Sequence, residues 1–142
     1  MHVESGPKND PNNSFWKEAI LNVRPSNANI SGAVSFEWEH IHGYFGRHSG
    51  YILQVNNNDG SDLFIQDSSF YVHNALDNPG GPDLFSFESV NYRNYYLSYD
   101  WNQRIQILPL DVIAKSSAYK NSTWRVSPPI FNFTEHLVNF LP

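Results

Sequence analysis

The sequence predicts an all-β domain made of repeated units of short strands, and three observations support this fold class. Phe, Tyr and Trp make up 15% of the 142 residues, and aromatic side chains fit the half-buried face of a sheet. Strand signals separated by turn residues recur about every 8 to 12 residues, without a long amphipathic helix between them. The third observation is an internal repeat, which indicates one supersecondary unit used several times.

The repeat is carried by two kinds of short run, of which the first recurs about every 54 residues. The first kind is a Ser two residues before an aromatic ring, and it begins at Ser14, Ser69 and Ser122. The second kind is Val-Ser-Phe-Glu or a similar run, and it begins at Val34, Phe85 and Phe131. A residue shared by the copies is expected to serve the architecture, whereas a polar residue present in one copy is a better candidate for function.

Before the second copy, apolar and aromatic runs predict strands at residues 15–23, 34–41, 44–48, 51–55, 63–65 and 70–76, although residues 17–21 could also form a helical turn. A hairpin turn is predicted at Ser49-Gly50. A second hairpin is predicted at Asp59-Gly60, because Asp-Gly between apolar runs favours a tight two-residue turn.

The second copy begins after a loop rich in Pro and Gly at residues 77–82. Its predicted strands are at residues 85–92, 95–99, 104–108 and 123–126, and a third copy begins with a strand at residues 131–141. Each complete copy thus has about four short strands, which is typical of an all-β barrel or sandwich.

Units of four strands in three copies predict a β-trefoil-like fold, with the shared aromatic rings inside the barrel. We expect residues 1–13 to be a flexible lead-in and residues 14–142 to form the domain. The third lobe is incomplete, since the chain stops near its second strand, and the sheet edge left unpaired there favours association. Two sources for the missing strands stay open, namely residues 1–13 and another chain.

Composition and charge exclude several classes of partner. The net charge is −5 and the Lys and Arg residues are scattered, so no nucleic-acid partner is expected. No run approaches the roughly 20 apolar residues of a membrane span, and the absence of Cys excludes disulfides and thiolate chemistry. Residues 1–6 lack the pattern of a signal peptide. An extracellular or secretory location is therefore expected only as part of a longer precursor.

The repeat resembles a known carbohydrate-binding family. Residues 84–97 read LFSFESVNYRNYYL, and the first copy has related runs at residues 34–37, 43–48, 59–61 and 67–70. These runs are similar to the repeat V-S-F-E-S, N-Y-P-G-Y-Y-L-R-H, D-G-S and D-A-T-F-x-V of the arabinose-binding β-trefoil domain of α-L-arabinofuranosidase B, carbohydrate-binding module family 42. The resemblance extends over about residues 14–134.

The resemblance implies one sugar pocket rather than three. In the family, each lobe can hold one arabinofuranose against a His after the aromatic pair, an aromatic ring and the Asp before the last strand. Carried onto the first copy, these positions are Tyr44, Phe45, His48 and Asp67. The second copy has Tyr99 at the His position and Asn121 at the Asp position, and the third ends before them.

The chemistry of these four residues fits a furanose. An aromatic ring covers the apolar face of the sugar, a carboxylate accepts hydrogen bonds from hydroxyl groups, and an imidazole donates or accepts. A pocket for a single sugar predicts a dissociation constant of about 1 mM. Simpler interpretations remain open, since Asp67 could cap a turn and Tyr44 could belong to the core.

No catalytic residue, metal site or cofactor is expected. Glu37 and Glu88 occupy the same position in two copies, which favours a structural role over a glycosidase carboxylate pair. His40 and His42 lie on one strand face, but no third metal ligand is evident near them. The predicted function is therefore non-catalytic binding of arabinofuranose-type side-chain sugars of a polysaccharide or glycan. The alternatives are a degenerate β-trefoil that serves as a self-associating structural or protein-interaction module, and a fragment of a larger glycosidase.

Overall fold

The computed structural model describes residues 21–99 and 104–126, and every structural statement here concerns this part of the chain. It has nine strands, two short α-helices and one 3-10 helix. In chain order they are β1 Leu21–Pro25, β2 Ala33–Trp38, β3 Tyr44–Ser49, β4 Ile52–Asn57, α1 Asp62–Asp67, β5 Phe70–Asn74, β6 Leu84–Ser89, β7 Tyr95–Tyr99, β8 Ile105–Pro109, α2 Leu110–Lys115, the 3-10 helix Tyr119–Ser122 and β9 Trp124–Arg125. The predicted lead-in, most of the first predicted strand and the third copy lie outside the described residues.

The all-β prediction is confirmed, but the β-trefoil prediction is wrong. Seven antiparallel strands form a closed ring in the order β2-β3-β4-β8-β7-β6-β5, and β5 pairs back onto β2. Strand β1 lies outside the ring on β2, and β9 lies outside it on β6. The described residues therefore form a closed seven-stranded barrel with two extra strands, and not a β-trefoil of four-strand units with an incomplete third lobe.

The physical reason for this correction lies in how the two copies meet. Strand β4 of the first copy pairs with β8 of the second through Ile52 and Gln106. Strand β2 pairs with β5 through Ala33 opposite Tyr71 and Val34 opposite Phe70. These two contacts close the ring without a third copy, so each ring strand has two hydrogen-bonded neighbours. The unpaired edge expected from a missing lobe is not found in the ring.

The strand predicted at residues 63–65 is helical. The Oγ of Ser61 accepts a hydrogen bond from the N–H of Phe64 at 3.1 Å, which caps the first turn of α1. The Asp59-Gly60 pair leads into this cap, since Asp59 Oδ1 accepts the N–H of Ser61 at 2.9 Å. The second hairpin prediction was therefore wrong, because the dipeptide introduces a helix instead of joining two paired strands.

The predicted hairpin of β3 and β4 is confirmed, but its two-residue turn is Gly50-Tyr51, one position later than the predicted Ser49-Gly50. Both turn residues have positive φ, 58° at Gly50 and 68° at Tyr51, as a type I′ turn requires. The register pairs His48 with Leu53 and Ser49 with Ile52. This turn places His48 at the end of β3 and Tyr51 at the exposed tip of the hairpin.

The shared residues of the two copies make equivalent bonds, as the repeat predicted. The hydroxyl of Ser35 donates to the carbonyl of Ser68 at 2.7 Å and accepts the N–H of Asn27. The hydroxyl of Ser86 donates to the carbonyl of Ser122 at 2.6 Å and accepts the N–H of Leu76. The repeat therefore reflects one way of satisfying buried backbone groups, used twice.

The interior of the barrel is a packed apolar core. Buried aliphatic and aromatic side chains form one cluster: Leu21, Val23, Val34, Phe36, Leu53, Phe70, Val72, Phe87, Leu97, Ile105, Ile107, Trp124 and Val126. The cavity among them is about 20 Å³ and lined by apolar side chains, which is too small for a sugar. Within the described ranges, no helix is both long and apolar enough to cross a membrane. A ligand must therefore bind at the outside or at the ends of the barrel.

Candidate functional site

His48 and Asp67, two of the residues predicted to bind ligand, lie together at one end of the barrel. His48 is the fifth residue of β3 and only 3% exposed, and Asp67 is the last residue of α1 and 6% exposed. The distance from His48 Nε2 to Asp67 Oδ1 is 3.6 Å. The hairpin turn after β3 and the capped helix before β5 thus bring an imidazole and a carboxylate to one place.

Asn91 connects these two side chains. Its Oδ1 lies 2.8 Å from His48 Nε2, and its Nδ2 donates to Asp67 Oδ1 at 2.7 Å. Because the amide nitrogen must face the carboxylate, the amide oxygen faces the imidazole and accepts a hydrogen bond from its Nε2–H. The result is a His48–Asn91–Asp67 chain of hydrogen bonds.

Ser89 fixes the loop that presents Asn91. Its Oγ donates to Asn91 Oδ1 at 2.9 Å, accepts the N–H of Tyr92 at 3.1 Å and lies 3.1 Å from His48 Nε2. Asn91 and Tyr92 belong to the second copy, immediately after β6. Their role is not evident from the sequence, because the four-strand unit places them in another lobe, although both lie in the run that carries the resemblance.

Two further side chains surround this cluster. Arg47 Nη1 lies 3.6 Å from Asp67 Oδ2, and the guanidinium carbon is 5.3 Å from the centroid of the Phe64 ring. The ring of Tyr92 lies 4.9 Å from the His48 ring at an interplanar angle of 60°. An aromatic face and a cation thus stand beside the buried His–Asn–Asp chain.

The structure does not bring Tyr44 and Phe45 to His48. Tyr44 lies four positions before His48 on β3, a separation of about 13 Å along a strand, and its ring contacts Trp38 with centroids 6.5 Å apart. Phe45 is buried, and strand alternation points it to the opposite face from His48. Their contact with a ligand stays a prediction, and Tyr92 is the aromatic ring that lies beside the imidazole.

The corresponding positions of the second copy make different contacts. Tyr99 packs against the apolar core, and Asn121 is exposed on the 3-10 helix. Ser98, at the position of Arg47, has its Oγ 2.7 Å from that of Ser122. A second imidazole–carboxylate pair is therefore not formed at this place in the described residues.

Glu37 and Glu88 hold turns. Glu37 Oε2 accepts the N–H of Gly43 at 2.9 Å and its Oε1 lies 3.1 Å from Arg24 Nε. Burial opposes ionisation of Glu37, but these bonds outweigh it and hold the pKa below its usual value of 4.5. Each of the two carboxylates thus accepts a backbone hydrogen bond from the loop that follows its own strand.

Burial and hydrogen bonding also have opposite effects on the pKa of Glu88, which is more deeply buried than Glu37. Its Oε2 accepts the N–H of Asn94 at 2.6 Å, and its Oε1 lies 2.9 Å from His73 Nε2. Burial opposes ionisation, but the bonds from Asn94, His73 and Arg93 lower the pKa below 4.5. The equivalent bonds confirm the structural role predicted for this pair.

The histidines considered as a metal pair have other neighbours. The ring of His40 packs edge-on against Trp38 at 5.6 Å, and His42 Nδ1 lies 3.7 Å from Glu37 Oε1. Among residues 21–99 and 104–126, no group of three or more His, Asp or Glu side chains is arranged to hold a metal ion. The cluster of His48, Asn91 and Asp67 is therefore the candidate binding site among the described residues.

The sequence matches one protein family model and part of two curated proteins. The family model described as the alpha-L-arabinofuranosidase B (ABFB) domain matches residues 5–130. The probable alpha-L-arabinofuranosidase B of Aspergillus clavatus is 36% identical over 80 residues, which are 56% of this chain and 16% of that protein. The alpha-L-arabinofuranosidase B of Emericella nidulans is 37% identical over 71 residues, which are 50% of this chain and 13% of that protein. The matched segment is about a sixth or less of each curated relative.

In solved structures with a similar fold, the matched segment is likewise a small part of each chain. An arabinofuranosidase complexed with arabinofuranosyl-alpha-1,2-xylobiose is 26% identical, with a TM-score of 0.61 over 74% of this chain and 21% of that chain. A GH54 arabinofuranosidase soaked with a cyclic sulfate inhibitor is 23% identical, with a TM-score of 0.64 over 84% of this chain and 24% of that chain. The second likeness concerns the fold alone.

Proposed function

The chain belongs to the alpha-L-arabinofuranosidase B (ABFB) domain family, and on this premise we propose that it is a non-catalytic carbohydrate-binding domain. It recognises arabinofuranose-type side-chain sugars of a polysaccharide or other glycan through one pocket at His48, Asp67 and Asn91. The observation that carries the proposal is the convergence of His48 and Asp67 of the first copy with Asn91 of the second. The second copy has Tyr99 and Asn121 at the positions of His48 and Asp67.

The groups in this pocket match those of a furanose. Asp67 accepts hydrogen bonds from sugar hydroxyls, and Arg47 and the second N–H of the Asn91 amide donate. Bonds to a charged group contribute about 1.5–3 kcal/mol each before competing costs, which supports weak binding of one sugar, near 1 mM. The ring of Tyr92 offers an apolar face to the C–H groups of the sugar.

The contacts of Glu37 and Glu88 support a non-catalytic role. A glycosidase requires two carboxyl groups that flank one scissile bond. Each of these carboxylates instead accepts the backbone N–H of its own loop, at Gly43 or Asn94. In our proposal neither of them touches substrate, and any hydrolysis belongs to another part of a longer protein.

The relatives support an extracellular setting for this domain. Both curated relatives are named as arabinofuranosidases and are several times longer than the matched segment. We place the domain outside the cell or in the secretory pathway, as part of a longer precursor. There it holds its protein on arabinose-containing glycan.

Calorimetry or saturation-transfer NMR with L-arabinose and arabinofuranosyl-α-1,2-xylobiose tests the proposal. The wild-type protein is compared with His48→Ala and with Asp67→Asn, which keeps the shape of the side chain and removes its charge. His42→Ala, on the exposed turn between β2 and β3, is the matched control. We expect binding near 1 mM for the wild type and the control, and about tenfold weaker binding or none for the other two.

Two results would contradict the proposal, provided circular dichroism shows that each protein is folded. The first is no binding of either sugar by the wild type, which would remove the function itself. The second is unchanged affinity in both His48→Ala and Asp67→Asn, which would move the pocket elsewhere on the domain.

A further inference from the structure

Three exposed or half-buried tyrosines contact one another at the proposed pocket, and two of them, Tyr51 and Tyr95, have no role in it. Tyr51 is 48% exposed at the tip of the β3–β4 hairpin, and Tyr92 is 42% exposed after β6. Tyr95 is the first residue of β7 and half-buried. Together we name Tyr51, Tyr92 and Tyr95 the tyrosine cluster.

The rings of the tyrosine cluster contact one another. Tyr51 stacks on Tyr95 with centroids 5.7 Å apart and an interplanar angle of 22°. Tyr92 lies edge-on to both, at 5.7 Å from Tyr51 and 5.8 Å from Tyr95. The three rings therefore form one contiguous aromatic surface, and not three separate exposed side chains.

The backbone of Tyr51 is strained. Its φ is +68°, a conformation that L side chains other than Asn and Asp rarely adopt. Such a residue costs on the order of 1 kcal/mol relative to Gly and persists where something else requires it. Burial in the core does not supply the reason, since about half of the side chain is exposed. The contacts that distinguish Tyr51 are with Tyr92 and Tyr95.

The tyrosine cluster continues directly from the pocket. Tyr92 lies 4.9 Å from the ring of His48 on one side and 5.7 Å from Tyr51 on the other. A sugar bound at His48 therefore has the Tyr92 ring beside it and the Tyr51 ring next along the surface. Exposed aromatic rings bind the apolar faces of sugar rings through a large and rigid apolar surface.

We propose that the tyrosine cluster binds the sugar residue to which the arabinofuranose is attached, so that the site recognises a branched oligosaccharide and not an isolated arabinose. This inference rests on the proposed function of the His48 pocket and extends it to the backbone of the glycan. The Tyr51 ring is the outermost contact, and its strained turn conformation places it there.

The experiment compares L-arabinose with arabinofuranosyl-α-1,2-xylobiose by calorimetry for the wild type and Tyr51→Gly. Glycine suits the positive φ, so this variant removes the ring without straining the turn. Tyr51→Phe keeps the ring, and Tyr119→Gly removes an exposed Tyr remote in sequence, on the 3-10 helix. We expect the wild type, Tyr51→Phe and Tyr119→Gly to bind the trisaccharide about tenfold more tightly than arabinose. In Tyr51→Gly, arabinose affinity should be unchanged and this advantage should be lost.

The outcomes separate this inference from the proposed function. If the wild type binds both ligands equally, or if Tyr51→Gly keeps the advantage, the tyrosine cluster is not a subsite although the pocket stands. If Tyr51→Gly weakens arabinose and trisaccharide by the same factor, Tyr51 belongs to the pocket itself and the inference is overturned. If the folded wild type binds neither ligand, both the proposed function and the inference fail.

Discussion

At the scale of single residues, the repeat separates structural polar groups from candidate functional ones. Ser35 and Ser86 satisfy buried backbone groups in both copies, whereas the His48–Asp67 pair is formed in the first copy. The sequence predicts this division, because equivalent positions can be compared without coordinates. It does not predict Asn91, whose contact runs from the second copy to the first.

The shared serines predict a stability effect. The Ser86 hydroxyl is fully buried. In Ser86→Ala the carbonyl of Ser122 loses its hydrogen-bond donor and the N–H of Leu76 loses its acceptor. We expect the free energy of unfolding to fall by about 1–3 kcal/mol, measured by urea denaturation. The exposed Ser31→Ala serves as the control and should change it little. If the free energy of unfolding falls no more in Ser86→Ala than in Ser31→Ala, the structural role of the Ser86 hydroxyl is contradicted.

Glu88 predicts a pH dependence of stability. Its pKa in the folded protein lies below the usual 4.5, so its stabilising contribution is fully present above that value. It is lost as the pH falls below 4.5 and through the folded-state pKa. The stability difference between the wild type and Glu88→Gln should therefore shrink between pH 6 and pH 3.

Urea denaturation at these two pH values measures this difference. The exposed Glu39→Gln is the control, for which the difference from the wild type should depend little on pH. A difference for Glu88→Gln that is constant or grows on acidification would show that the carboxylate is not stabilised by its contacts with Asn94, His73 and Arg93.

At the scale of elements, the strands are largely predictable and the short helices are not. The strand prediction at residues 95–99 matches β7 in full, and those for β3, β4 and β8 differ by one or two residues at the ends. Helix α1 has six residues, fewer than two turns, so its sequence shows no 3.6-residue period that would distinguish it from a strand. The capping Ser61 is the local signal that could have identified it.

The cap of α1 predicts a second stability effect. In Ser61→Ala the N–H of Phe64 loses its side-chain acceptor, and loss of an N-cap typically costs about 1 kcal/mol. Thermal denaturation of Ser61→Ala should therefore show a lower midpoint than the wild type. Gln66→Ala, on the exposed side of the same helix, should leave the midpoint nearly unchanged. Equal midpoints for the wild type and Ser61→Ala would mean that the cap does not stabilise the helix.

At the scale of the whole molecule, the pairing of distant strands decides the fold. Counting strands in each copy predicts a unit, but it does not show that β4 pairs with β8 or that β2 pairs with β5. Those contacts join residues far apart in sequence and close the ring of seven strands. The same closure brings the loop that contains Asn91 against His48. The closed ring and the contact of Asn91 are therefore missing from the sequence-based prediction for the same reason.

The closed ring also changes the alternative interpretation of the molecule. Self-association was predicted from an edge left open by a missing lobe, and each strand of the described ring has two hydrogen-bonded neighbours. The sugar-binding interpretation rests on a different observation, the His48–Asn91–Asp67 cluster. The central claim is therefore that one pocket, formed by His48 and Asp67 of the first copy with Asn91 of the second, binds a sugar.

A titration with L-arabinose followed by two-dimensional ¹H–¹⁵N NMR tests this claim most directly. The account predicts chemical-shift changes at His48, Asp67 and Asn91 that share one midpoint near 1 mM arabinose, with Tyr99 and Asn121 unchanged. Shifts of equal size at Tyr99 and Asn121, or a folded spectrum in which no resonance moves, would contradict it.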